Sequence, residues 1–246
     1  MAIMRVGFFG DSIGKQADMT VILPEIETPP PYPALYLLHG LSDDDTIWTR
    51  RTSLERYVAE MPLVVVMPDG GRGFYTDAVR GPDWEKHIMQ DVIGFAERFF
   101  PLIPERSGRV IGGLSMGGYG SMKLALKYPE WFCSVVAHSS AFDLSARLKD
   151  PERAEEFSLI FGQAPAGGDN DVFALAEQVD RTVLPAIRFD CGTEDGLLVE
   201  NRRFHQHLQE LGIEHEYAEF PGGHEWAYWD GHIQEALSFH AAALGL

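Results

Sequence analysis

The segment Gly113-Leu114-Ser115-Met116-Gly117 places one hydroxyl between two glycines, each two residues away. RVIGG before it reads as a strand, and YGSMKLALKYPE after it reads as a helix. Glycines on a strand-to-helix turn serve three chemistries: dinucleotide binding, phosphate binding and attack by a serine. A dinucleotide turn needs the register G-x-G-x-x-G, but Leu114 and Ser115 stand two residues after Gly112 and Gly113. A phosphate loop needs Lys then Ser or Thr after its second glycine, and Gly118 and Tyr119 follow Gly117. The pattern G-x-S-x-G is met in full, in the strand–turn–helix setting it requires. On so sharp a bend, side chains two before and two after the serine would collide, and glycine removes the collision. The Met116 N–H, at the start of the helix, can donate to a developing oxyanion.

A serine hydroxyl needs a base to become a nucleophile. Nine histidines compete. His205 and His207 are two apart on an expected helix and read as surface positions. His87, His215 and His240 fall within regular elements, and His39 before Gly40 suits an architectural role. His138 ends a strand and is a candidate for the site wall. His224 lies in the glycine loop FPGGHEW after the last expected strand, where an imidazole can reach Ser115, and it is preferred over His232 on the final helix. The third member of such a set is a carboxylate after a strand, between the serine and the histidine in chain order. CGTEDGL offers Asp195, preferred for its short side chain before Gly196, with Glu194 as the alternative. Asp69 in PDGG reads as a turn cap, and Asp190 as structural. Gly40 lets the backbone turn after ALYLLHG, and the Leu41 N–H is the candidate second donor to an oxyanion.

These residues need a scaffold. ALYLLHG and PLVVVMPDGG are continuous apolar runs, as in a sheet covered on both faces. MTVILPE reads as a short strand, followed by the proline-rich connector ETPPPYP. LERYVAEM reads as helix. WEKHIMQDVIGFAERFF carries a helical stripe at Ile88, Val92, Phe95, Ala96 and Phe99. CSVVAHSS, AIRFDCG and EHEYAEF continue the strands, with VENRRFHQHLQELG and the chain's end as helices. Strands separated by helical crossovers imply a mostly parallel sheet flanked by helices, with sites beyond the carboxyl ends of the strands. Residues 142–182 break the alternation and read as a polar, helix-prone, cap-like insertion over the site. Phe157, Leu159, Ile160 and Phe161 are its candidate inward residues. Trp48, Phe74, Tyr75, Trp226, Tyr228 and Trp229 fall near loops at the same edge, and Trp48, His138 and Trp226 are the candidate pocket residues.

A chain of 246 residues with 45% hydrophobic and 23% charged positions fits one α/β domain over residues 1–246. Acidic residues number 37 against 20 basic ones, a net charge of −17, which disfavours nucleic acid and anionic membrane as partners. Cys133 and Cys191 read as free thiols in a reducing compartment, and no metal pattern includes them. The first residues lack a secretory pattern, and no run approaches a bilayer span, so a cytoplasmic location is expected. The acidic surface neither requires nor excludes a homo-oligomer.

LLHG with LSDDDTIW, then MPDGG, GLSMGGYGSMKLAL, CGTEDGLL and FPGGHEW, in this order, resemble the esterase D group of α/β-hydrolases. That group includes tributyrin-type esterases, S-formylglutathione hydrolases, feruloyl esterases and mycolyltransferases. The resemblance spans nearly the whole chain and looks closest to the small intracellular tributyrin-type esterases. It implies an α/β-hydrolase fold and ester hydrolysis through an acyl-enzyme. Ser115 is then the nucleophile, Asp195 the acid and His224 the base, with the Leu41 and Met116 N–H groups as oxyanion hole and no cofactor or metal. Short-chain acyl or aryl esters are the expected substrates. S-formylglutathione hydrolases usually carry a cysteine in the loop that here reads LSDDDT, and mycolyltransferases are secreted. Feruloyl esters or glutathione thioesters are the alternatives within the group; a non-catalytic binding protein is the alternative outside it.

Overall fold

The computed structural model describes residues 1–246. Eight strands form one sheet: β1 (Ala2–Gly10), β2 (Lys15–Leu23), β3 (Ala34–Leu38), β4 (Val64–Pro68), β5 (Arg109–Leu114), β6 (Ser134–His138), β7 (Ala186–Gly192) and β8 (Glu216–Phe220). Their spatial order is β1-β2-β4-β3-β5-β6-β7-β8. β1 and β2 form an antiparallel hairpin, β2 joins β4 antiparallel, and the remaining pairs are parallel. Every residue of β3, β4 and β6 is buried, because helices cover both faces of the sheet.

Ten helices connect or flank the strands: α1 (Ile47–Arg51), α2 (Leu54–Tyr57), α3 (Trp84–Lys86), α4 (Ile93–Phe99), α5 (Met116–Lys127), α6 (Leu144–Arg147), α7 (Ala154–Phe161), α8 (Val172–Gln178), α9 (Leu198–Glu210) and α10 (Trp226–Leu244). α5 is buried over all but its last residue, Lys127. Its run of Gly117, Gly118 and Gly120 lets it lie close to the strands and to Tyr75.

Three readings of the sequence change. MTVILPE is only the second half of β2, and β1 precedes it. β1 was not legible because it is an edge strand whose Ile3, Met4 and Phe9 face outward, which erases the period-two contrast. LERYVAEM shrinks to the single turn of α2. The stripe through residues 88–99 is interrupted by a π-helical segment, His87–Val92. Ile88, Val92 and Ala96 keep the stripe buried, but Phe99 is exposed, and Phe100, the extended residue that ends α4, packs inward in its place.

Residues between β6 and β7 hold α6, α7 and α8. Phe157 and Phe161 of α7 stack edge-on against Phe74, and Ile160 is buried with them. Leu159 is the exception to the expected inward set: it is exposed on the outer side of this short helix.

Two buried polar groups tie the scaffold together. Lys123 of α5 is fully buried and its ammonium donates to Glu85 (2.6 Å), the Tyr75 carbonyl (2.6 Å) and the Thr76 hydroxyl (3.0 Å). Glu85 also accepts from Tyr128 (2.6 Å) and pairs with Lys127 (2.8 Å). Burial would push the Glu85 carboxyl up, but the Lys123 charge and these bonds hold it at about 2. Glu85→Ala leaves an ammonium buried without its counter-charge. Such a change costs about 3–5 kcal/mol, so the expected Tm falls by roughly 6–20 °C for a chain of this size, measured by calorimetry.

The second group is His240 of α10, fully buried with Nδ1 2.9 Å from the Ser134 hydroxyl. Burial, with His138 nearby, pushes it down to about 3. In the unfolded chain an imidazole titrates near its ordinary value of about 6.5. Between these limits the unfolded state binds the extra proton, so stability drops as pH falls through roughly 6.5 to 3. His240→Gln is expected to flatten that acid limb in urea titrations run from pH 7 to pH 4; an unchanged limb assigns the loss to other groups.

Candidate active site

β5 delivers Ser115 onto a turn with φ 54° and ψ −114°, a strained conformation for any residue with a side chain. Neighbouring backbone holds it there. The Ser115 N–H donates to the His138 carbonyl at 2.8 Å, and the Ser115 carbonyl accepts from Tyr119 N–H at 3.0 Å. A Cβ on Gly113 would lie 2.7 Å from the Gly117 carbonyl, so the glycine spacing is a steric demand of the bend.

Asp195 and His224 arrive on loops after β7 and β8. The two loops are stitched by Thr193 N–H to the Phe220 carbonyl (2.8 Å) and Glu194 N–H to the Gly222 carbonyl (3.0 Å). Gly192 has no room for a Cβ, which would fall 2.1 Å from the Gly222 oxygen. This close approach brings His224 over Ser115. His224 Nε2 lies 3.0 Å from Ser115 Oγ, and Nδ1 lies 2.9 Å from Asp195 Oδ2. Asp195 Oδ1 accepts the Leu197 N–H at 2.8 Å. Burial pushes the Asp195 carboxyl up, but the bonds from His224 and Leu197 outweigh it and hold it below the usual carboxylate range. The carboxylate therefore stays ionised and accepts the Nδ1 proton. Nε2 then carries its lone pair toward the hydroxyl.

The Leu41 and Met116 N–H groups have no acceptor within the protein. Leu41 lines the cleft that contains Ser115, and Met116 is the first residue of α5. His39 fixes the Leu41 loop as an architectural residue should: its Nε2 accepts the Gly70 N–H at 2.8 Å, and its Nδ1 lies 2.8 Å from the Gly40 carbonyl. The Arg72 guanidinium bridges Glu156 of α7 (2.6 and 2.8 Å) to the Ser42 hydroxyl (3.1 Å), tying the segment after β6 to the same loop.

The cleft, about 790 Å³, opens beyond the carboxyl ends of the parallel strands. Of the three pocket candidates, only Trp226 lines it. Trp48 is fully buried beneath, with its Nε1–H donated to the Leu38 carbonyl (3.2 Å) and its ring edge-on to Trp226. His138 is turned away into the core, where Nδ1 meets Asp190 at 2.9 Å. Both sit near that edge, but the Trp48 N–H and the His138 Nδ1 find their partners inward. Phe74, Phe157 and Trp229 complete the aromatic wall. Tyr75 and Tyr228 are core residues, donating to the His39 carbonyl and to Asp190 respectively.

The alternatives for the acid and base sit apart from the hydroxyl. Glu194 accepts from Thr193 Oγ1 and the Gly222 N–H, clamping the loops. His232 stacks on Phe220 and pairs with Glu235. His205 is not a lone surface group: its Nδ1 lies 2.7 Å from His215 Nε2. The sequence reading passed over Arg51, Arg147 and Arg153, which also border the cleft. No spacing distinguishes them from other surface arginines, because three separate segments bring them together.

The family model Esterase matches residues 10–240. The chain belongs to the esterase family. An acetyl esterase of Caldicellulosiruptor saccharolyticus is 29% identical over 97% of this chain and 98% of its own. Substrate-bound FphF, a fluorophosphonate-binding serine hydrolase of Staphylococcus aureus, is 32% identical with a TM-score of 0.89, covering 97% of this chain and 98% of that one. The S-formylglutathione hydrolase FrmB of the same organism is 31% identical with a TM-score of 0.87 over the same shares. The esterase thus carries the α/β-hydrolase fold of these serine hydrolases, as its strand order and the turn at Ser115 require. No helix of the esterase is long and apolar enough to cross a membrane.

Proposed function

We propose that this esterase hydrolyses short-chain acyl or aryl esters through an acyl-enzyme on Ser115, with Asp195 and His224 completing a triad. The observation that carries this reading is the unbroken hydrogen-bond line from the Asp195 carboxylate through His224 to Ser115 Oγ, at 2.9 and 3.0 Å. His224 Nε2 takes the hydroxyl proton as Oγ attacks the ester carbonyl. Asp195 keeps the imidazole oriented and stabilises its cationic form. The Leu41 and Met116 N–H groups donate to the oxyanion; such a donor is worth about 10²–10³ in turnover. His224 then protonates the departing alcohol, and deprotonates a water that releases the acid. These residues supply every proton and the nucleophile.

Within the family, the tributyrin-type group is the proposed kin, acting in the cytoplasm on a small-molecule ester. Residues 142–182 serve as a cap on the single domain, with Phe157 closing one side of the cleft. The named activities of the acetyl esterase and of FrmB support ester and thioester chemistry respectively. Arg51, Arg147 and Arg153 at the cleft give a second reading some weight: an anionic leaving group such as a glutathione thiolate. A panel of p-nitrophenyl esters of growing chain length, with methyl ferulate and S-formylglutathione, tests both. The expected result is highest kcat/KM for acetyl to butyryl esters. Preference for the thioester by tenfold or more transfers the assignment to the second reading. Inertness toward the whole panel, with no fluorophosphonate adduct by intact mass, defeats both.

A further inference from the structure

Ser139 takes no part in the chemistry above, yet it bonds the indole that stands against the imidazole. It follows β6 directly, is fully buried and has φ 46°, a conformation that residues with side chains rarely adopt. Its N–H donates to the Asp190 carbonyl at 2.8 Å, which fixes it to the strand that leads to Asp195. Its hydroxyl accepts the Trp229 Nε1–H at 3.2 Å. The Trp229 ring stands edge-to-face against His224, with centroids 4.9 Å apart and an interplanar angle of 89°.

The Ser139 hydroxyl thus holds the indole, and the indole presents its edge to the imidazole. A strained backbone persists only where the surroundings over-determine it, and such sites cluster at functional centres.

We propose that Ser139 is a positioning residue of the esterase, its hydroxyl holding the Trp229 indole so that the indole fixes the His224 imidazole. This rests on the reading of Ser115, Asp195 and His224 as the reacting set. Glycine at position 139 removes the hydroxyl and the backbone strain at once, which separates positioning from folding. The test measures kcat, KM and Tm for the wild type, Ser139→Gly and Trp229→Phe, using the best p-nitrophenyl ester.

The loss of one neutral hydrogen bond changes an equilibrium by up to roughly tenfold. Ser139→Gly is therefore expected to keep or raise Tm, to lower kcat by about tenfold and to leave KM within about twofold. Trp229→Phe removes the indole N–H and is expected to lower kcat as well. The double variant is expected to be no worse than the poorer single one, because both act through one hydroxyl. Wild-type kcat in a folded Ser139→Gly enzyme overturns the proposal and leaves the triad reading intact. Should that variant fail to fold, wild-type kcat in Trp229→Phe overturns it in the same way. A wild-type enzyme that neither hydrolyses the ester nor takes a fluorophosphonate on Ser115 defeats the underlying reading instead.

Discussion

Ser115→Ala is expected to lower kcat by about 10⁴–10⁶ while KM changes little, since removing the proposed nucleophile leaves only binding and oxyanion donors to act. The variant also loses its fluorophosphonate adduct. Folding is not at risk: alanine keeps the Cβ, and the hydroxyl's partner is the His224 ring at the edge of the cleft. The strained φ of 54° remains in Ser115→Ala and is released in Ser115→Gly. Relief of one such residue is worth about 1–3 kcal/mol, so Ser115→Gly is expected to raise Tm by several degrees while being as inactive as the alanine variant. This pairing of inactivity with added stability marks the turn as strained for function. A Ser115→Ala enzyme with more than about a hundredth of wild-type kcat, on protein free of wild-type carry-over, refutes the acyl-enzyme route.

Asp195→Asn carries the next largest effect. An amide at 195 can place its NH₂ group toward His224 Nδ1, which reverses the hydrogen bond. Nδ1 then accepts, the ring proton moves to Nε2, and Nε2 can no longer take the proton from Ser115. An exchange of this kind in a serine triad lowers kcat by about 10⁴. Glu194→Gln is the informative partner. Glu194 lies one residue away, but it is bonded to Thr193 and the Gly222 N–H rather than to the imidazole. Its loss is expected to change kcat by less than about tenfold, because glutamine keeps an acceptor oxygen and neither bond involves the imidazole. A drop of 10³ or more in Glu194→Gln, with Asp195→Asn nearly active, would exchange the two roles. Stopped-flow or steady-state assays on one ester suffice for both variants.

Parts of this picture were legible in the chain before its fold. The bend at Ser115 is local: five residues specify it, and the clash of a Gly113 Cβ with Gly117 is a matter of bond lengths. The buried strands β3, β4 and β5 announced themselves as apolar runs bounded by glycine or proline. Asp195 and His224 followed from chain order, because a parallel sheet brings successive strand ends to one edge. The reading faltered where burial depends on a distant partner. β1 is apolar on its exposed side, and where α4 ends the extended Phe100 turns inward in place of Phe99, so neither obeys a simple period.

The aromatic residues divide along the same line. Trp48, His138 and Trp226 carry the same local signal, a bulky ring near a loop at the active edge. Only Trp226 faces the cleft, because Leu38 takes the Trp48 N–H and Asp190 takes the His138 ring. The chain by itself determined the bend at Ser115, the class of its scaffold and the order of its polar groups, since each depends on short-range sterics or on strand sequence. The tertiary structure alone decided the 3.0 Å approach of His224, the arginines at the cleft and the Ser139 hydroxyl behind the indole. Those depend on which loops pack together, and loop contacts between residues up to 109 positions apart leave no mark in local spacing.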